Sequence, residues 1–285
     1  MKKQLQNSKE KTSPRNNLWE GEYQISQTSY YNDETQDSYE KKIRLILETV
    51  TDSSYNFLYS EFDFQKNGEI SDSKASTLSK MCMETIYPLR FIVDFQGKLQ
   101  KIELSKNVQQ ISTEIDEIKQ FFEDEFSSDY IEKLKKIIKN PKEFSEKFEK
   151  TLLNTFLFNS IYKQNFDPNR INPAYNGFYL WISNANSILF EIHNTISDDD
   201  NQQQETVKII QKGISIDYRT YEELYYLDFE NDENNLIKDA SIDCEFVAEY
   251  NFNKNSKSLQ CIEATFQNFV DDNIEKEMFL LERIS

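Results

Sequence analysis

The side chains most often recruited for acid–base, metal and nucleophilic chemistry are scarce in this chain, which has a single histidine, His193, and three cysteines, Cys82, Cys244 and Cys261. His193 lies in SILFEIHNTI, where Ile188, Phe190 and Ile192 alternate with Glu191 and His193, as in a strand with one apolar face. A general base there needs a nucleophile or a carboxylate within hydrogen-bond reach, and no motif supplies one. The cysteines stand among apolar residues, in MCM, DCEFVAEY and LQCIEAT, and their odd number suits reduced, buried thiols better than a disulfide framework.

Carboxylates are abundant, but they run together along the chain, as Asp198-Asp199-Asp200, Glu222-Glu223 and Asp271-Asp272, which reads as solvated surface. Asp63, Asn67, Gly68 and Ile70 imitate the opening of a calcium loop. Gln65 and Lys74 then occupy two ligand positions, the second of which needs a bidentate Glu, so the run reads as a turn. With five glycines in 285 residues and no zinc spacing, phosphate loop, lipase elbow or kinase signature, the chain is expected to have no catalytic residue, no metal and no cofactor.

One tract differs in kind. YRTYEELYYLDFENDEN interleaves Tyr218, Tyr221, Tyr225, Tyr226 and Phe229 with Glu222, Glu223, Asp228, Glu230, Asp232 and Glu233. Aromatic side chains contribute anchor area at low entropy cost, and acids steer a basic partner towards them. The expected partner-binding surface is therefore Tyr218, Tyr221, Glu222, Glu223, Tyr225, Tyr226, Asp228, Phe229, Asp232 and Glu233. The charge agrees: the chain has a formal net charge of -17, and Asn194 to Tyr250 alone holds 15 acidic against 4 basic residues. Such a field repels nucleic-acid phosphates and anionic lipid and attracts a basic protein.

The elements that must position these residues follow from hydrophobic period. Leu18 to Ser29, Lys41 to Val50 and Tyr55 to Phe64 alternate as strands, and the apolar runs on either side of Gln96-Gly97 read as a hairpin. From Asn107 to Lys163 the period lengthens to that of helices, through Ile111, Ile115 and Ile118, then Ile131, Leu134 and Ile138, then Phe144, Phe148, Leu152 and Phe156. Asp129 with Glu132, and Asn140-Pro141 with Glu143, are candidate helix starts. Phe122, Leu134, Phe148, Leu152 and Phe156 are expected in the core. Beyond the proline- and asparagine-rich NFDPNRINPAYNG, strand patterns return and continue to the end.

The expected fold is α+β, with two groups of antiparallel strands flanking a central helical block of about three helices. The corresponding segments are a disordered tail (1–17), N-terminal strands (18–106), the helical block (107–165) and a C-terminal sheet (166–285). A mean hydropathy of -0.74 and the lack of any apolar run near 20 residues exclude a helical membrane span. The first functional expectation is a cytoplasmic, non-enzymatic acidic module of inhibitor, immunity, adaptor or chaperone type. The alternative is a ligand-binding protein, cytoplasmic or of the cell envelope, with an apolar cavity between a curved antiparallel sheet and helices. A carboxylate-dependent enzyme is the remote third.

Overall fold

The computed structural model describes residues 18–70, 73–158, 173–181, 186–197, 206–224, 241–270 and 273–285. The expected tail, 1–17, lies outside them. Alternating sequences form eleven strands: β1 (Gly21–Tyr31), β2 (Glu34–Val50), β3 (Ser54–Lys66), β4 (Leu89–Asp94), β5 (Leu99–Leu104), β6 (Tyr175–Tyr179), β7 (Ile188–Ser197), β8 (Thr206–Ser215), β9 (Cys244–Asn253), β10 (Leu259–Val270) and β11 (Asn273–Arg283). All of them join one antiparallel sheet in the order β5-β4-β3-β2-β1-β11-β10-β9-β8-β7-β6.

This corrects the expectation of two groups of strands flanking a helical block. The strands before and after the helices form one continuous sheet, because β1 pairs with β11 from Tyr23↔Arg283 to Tyr31↔Glu275. Period reveals which residues alternate and is silent about which strand lies alongside which. The β1–β11 register aligns Ile25 with Leu281 and Gln27 with Phe279 across some 250 residues, a match that no local pattern encodes.

The helices cover one face of that sheet. They are α1 (Lys74–Ile86), α2 (Val108–Lys119), α3 (Glu125–Ile138), α4 (Pro141–Glu149), α5 (Leu152–Leu157) and the single turn α6 (Tyr221–Leu224). Among the described residues between β5 and β6 there are thus four helices instead of about three, since Thr151 caps a separate α5 by accepting a hydrogen bond from Asn154 N. Asn140 caps α4 as its sequence announces. α3 starts five residues before the expected Asp129, at Asp124, whose carboxylate accepts from Ser127 N at 2.9 Å. Phe122, Leu134 and Phe156 are buried, while Phe148 and Leu152 are half-buried against the core. No helix among the described residues is long and apolar enough to cross a membrane.

The sheet has an outer charged face and an inner apolar one. In β9, Cys244, Phe246, Ala248, Tyr250 and Phe252 are buried and alternate with outward Glu245, Val247 and Glu249. The helices α1 to α4 pack Leu78, Cys82, Ile86, Ile111, Ile115 and Ile131 over the β3–β5 half, against Phe57, Tyr59 and Phe91. The other half curls inward. Tyr179 of β6 and Phe246 of β9 bring ring centroids to 4.7 Å, although three strand spacings separate their backbones by about 14 Å in a flat sheet. Gly213 on β8 permits this, because Phe246 lies directly over it.

A candidate binding trough on the inner face

Along the middle of the inner face the side chains change character. On β1 the inward positions run from Tyr23 and Ile25 to Gln27, Ser29 and Tyr31, and on the paired β11 from Leu281 and Phe279 to Glu277 and Glu275. The apolar end supports a cleft of about 390 Å³ beneath α5, where Ile25, Phe279, Leu152, Leu153 and Trp181 meet Gln27 and Lys41. The polar end opens into a second cleft of about 300 Å³ whose lining includes Ser29, Tyr31, Phe266, the charged Glu275, Lys276 and Glu277, and again Trp181. The chain leaving β6 turns over the inner face, so the Trp181 indole stacks on Phe266 at 4.8 Å and stands between the two clefts. Trp181 is 4% exposed, and its buried Nε1–H has no acceptor among the described residues.

The electrostatics are graded along the same axis. Beside the apolar cleft, Lys41 Nζ lies 2.8 Å from Glu61, which also accepts from the buried Tyr59 hydroxyl. Burial opposes ionisation of Glu61, but Lys41 and the hydroxyl donors outweigh it and hold the carboxyl below its ordinary range. At the polar end, Glu277 accepts from Gln27 Nε2 at 2.5 Å, and burial raises its proton affinity despite that bond and one from Ser29. Glu275 accepts from Asn268 Nδ2 at 2.8 Å, and Asn268 Oδ1 in turn accepts from the Tyr221 hydroxyl at 2.8 Å. The arrangement can hold a molecule that is apolar at one end and polar at the other.

The residues singled out in the sequence fall elsewhere. Tyr218 is 91% exposed, with exposed Glu222 and Glu223 on the adjoining turn α6. Tyr221 faces inward instead, and burial pushes its hydroxyl up to about 12. Tyr225, Tyr226, Asp228, Phe229, Asp232 and Glu233 lie outside the described residues, as do Asp198 to Asp200 and Asp271-Asp272. His193 is on the outer face, 3.0 Å from Glu191 Oε1. Burial pushes the thiols of Cys82 and Cys261 up to about 11 and that of Cys244 up to about 12, leaving each a weak nucleophile. In the calcium-like run, Asp63 is paired with Lys42 at 2.9 Å and Asn67 Oδ1 accepts from Ser38 N at 2.7 Å. Among the described residues no group of three or more His, Cys, Asp or Glu side chains converges as metal ligands.

The trough residues did leave a trace in the sequence. In GEYQISQTSYY the alternation that starts with Tyr23 and Ile25 continues in phase with Gln27 and Ser29, which places polar side chains on the apolar face.

The segment that presents Tyr218 is fixed by an ion pair between a buried carboxylate and the half-buried Arg219. Asp217 is 4% exposed and accepts from Leu189 N at 2.9 Å and from Arg219 Nε and Nη2 at 2.9 and 2.6 Å. Arg219, foremost, holds the Asp217 carboxyl down at about 2 against the effect of burial. A folded-state value below the unfolded one, near 3.9, gives stability that is complete above that value and is lost as pH falls towards 2. Asp217→Asn is expected to cost about 2 kcal/mol at pH 7, with the difference from the native chain shrinking between about pH 5 and pH 2. Urea unfolding across that range reads it, and a pH-independent difference would assign the loss to packing.

No protein-family model matches this chain, and no curated protein matches it in sequence.

Proposed function

We propose that the protein is a non-catalytic binding protein that holds a small amphipathic molecule in the trough between the curled sheet and α5. The observation that carries this reading is the change from Ile25, Phe279 and Leu153 to Ser29, Glu275 and Glu277 along one pair of strands, with Trp181 standing over the junction. Ligand sites are concave, mostly apolar and oriented by a few polar groups, and this trough has that composition. A neutral environment-sensitive probe, N-phenyl-1-naphthylamine, should bind saturably. Leu152→Trp, a half-buried position at the cleft mouth, should weaken that binding at least tenfold, about 1.4 kcal/mol, by filling the space. Unsaturable binding, or binding indifferent to Leu152→Trp, would remove the trough from consideration.

A second reading rests on a separate observation, the exposure of Tyr218 beside Glu222 and Glu223, which supports an acidic-aromatic surface for a basic protein. Under it, the triple variant Tyr218→Ala, Glu222→Lys, Glu223→Lys should lose a basic protein that the native chain captures. The two charge reversals should act mainly on association rate and salt dependence. Capture equal for both chains counts against this surface.

A further inference from the structure

The two clefts of the trough differ in charge. Every charged residue lining the cleft under α5 is a cation, Lys41 or Lys150, in a chain where acids outnumber bases by 50 to 33. The second cleft carries Glu275, Lys276 and Glu277, one negative charge in excess. Lys41 stands on the inner face directly across from Ile25, with its side chain 27% exposed. An ammonium has three N–H donors, and Lys41 gives one of them to Glu61 Oε1 at 2.8 Å. Glu61 also accepts from the Tyr59 and Tyr87 hydroxyls, so the carboxylate is satisfied while Lys41 has donors to spare.

Lys150 follows α4 at the mouth of the same cleft, beside Leu152, and is exposed. Its neighbour Glu149 accepts from Ser145 Oγ, and no carboxylate among the described residues pairs with Lys150. Thr151 Oγ1 accepts from Asn154 N at 3.2 Å, and its own proton has no acceptor among the described residues. Gln27, the remaining polar lining residue, gives its Nε2 to Glu277 at 2.5 Å. The cleft thus offers two ammonium groups and a hydroxyl proton above walls of Ile25, Leu152, Leu153, Phe279 and Trp181. Charged donors of this kind form their strongest hydrogen bonds with carboxylate or phosphate oxygens. We infer that the cleft under α5 takes a single-chain amphiphile with an anionic head group, held by Lys41, Lys150 and Thr151, its chain lying between Ile25, Leu153 and Phe279. This deepens the trough reading and rests on it. Charge also sets the direction of the molecule, because Glu275 and Glu277, beyond Gln27, repel the head group from the far end of the trough.

The test is displacement of N-phenyl-1-naphthylamine from the full chain by four compounds with a twelve-carbon chain, at pH 8 and below their micellar concentrations: dodecanoate, dodecyl phosphate, dodecanol and dodecyltrimethylammonium. Physiological ionic strength screens charges more than about 8 Å apart, so the acidic chain's general repulsion of anions is weak there and the lining decides. At least one anion should displace tenfold better than dodecanol, with the cation weakest, and the better anion identifies the head group as carboxylate or phosphate. Lys150→Gln, at an exposed position, should cut that advantage at least threefold, and Lys150→Glu should remove it. Lys212→Gln, on the outer face, should leave it unchanged. Lys41 is tested together with its partner, since Lys41→Gln with Glu61→Gln leaves no lone charge behind, and the advantage should fall again. Should that double variant fail to fold, the two Lys150 variants decide. Equal displacement by anion and alcohol, a preference for the cation, or an advantage that survives Lys150→Glu overturns the anion assignment and leaves the trough standing. Displacement by none of the four overturns the trough as well.

Discussion

Phe156→Ala is expected to destabilise the protein by about 3–5 kcal/mol, the range for removing a fully buried aromatic side chain. Phe156 is the residue by which α5 grips the sheet. Its ring lies 5.5 Å from Phe279 on β11, 5.0 Å from Trp181 and 6.2 Å from Tyr179, and it is fully buried. These neighbours come from the middle of the sheet, from the chain crossing its inner face and from its β6 edge, so deletion leaves a hole whose walls belong to separate elements. Such walls collapse poorly, which places the cost in the upper part of the range. Urea unfolding gives the loss, and the naphthylamine probe gives its companion: with Trp181 unsupported, probe binding should weaken even where the variant remains folded. A loss below about 1 kcal/mol would mean that α5 lies on the sheet without anchoring it.

Gly213→Ala should cost about 3 kcal/mol, at the upper end of overpacking penalties. A Cβ at Gly213 would stand 2.1 Å from Phe246 Cε1 and 2.6 Å from its Cδ1. The ring has nowhere to withdraw, because it is buried and packed against Tyr179 at 4.7 Å and Phe190 at 5.0 Å. Glycine within a strand often marks such a close approach, and here its partner is a single aromatic ring. The cause can be isolated: in the background of Phe246→Leu, which withdraws atoms from over β8, Gly213→Ala should cost clearly less than it does alone. Additive effects of the two substitutions would place the strain in the backbone and not in the ring.

Local pattern determined a good deal of this protein. Alternation in DCEFVAEYNF specifies a strand with Phe246 and Tyr250 inward, and the structure has β9 in that phase because one face meets water and the other meets rings. Asn140-Pro141 starts α4 because the cap and the first-turn proline act within four residues. Asp94, Gln96 and Gly97 close the β4–β5 hairpin, with Asp94 Oδ1 accepting from Gln96 N and Lys98 N at 2.8 and 2.9 Å, an equally local arrangement.

Tertiary structure decided what depends on contacts between distant segments. The pairing of β1 with β11 turns two presumed groups of strands into one sheet, and it arises from matching inner faces hundreds of residues apart. Tyr221 shows the same limit at a single residue: its setting among acids suggests a surface anchor, yet the hydroxyl finds Asn268 on β10 and the ring goes inward. The trough depends on both effects. Ser29, Glu277 and Trp181 belong to three separate stretches of chain, and only the long-range register of the sheet, with the chain folding back after β6, sets them around one space. Period is written in neighbouring residues and can be read from them, whereas proximity across a sheet is a property of the packed whole.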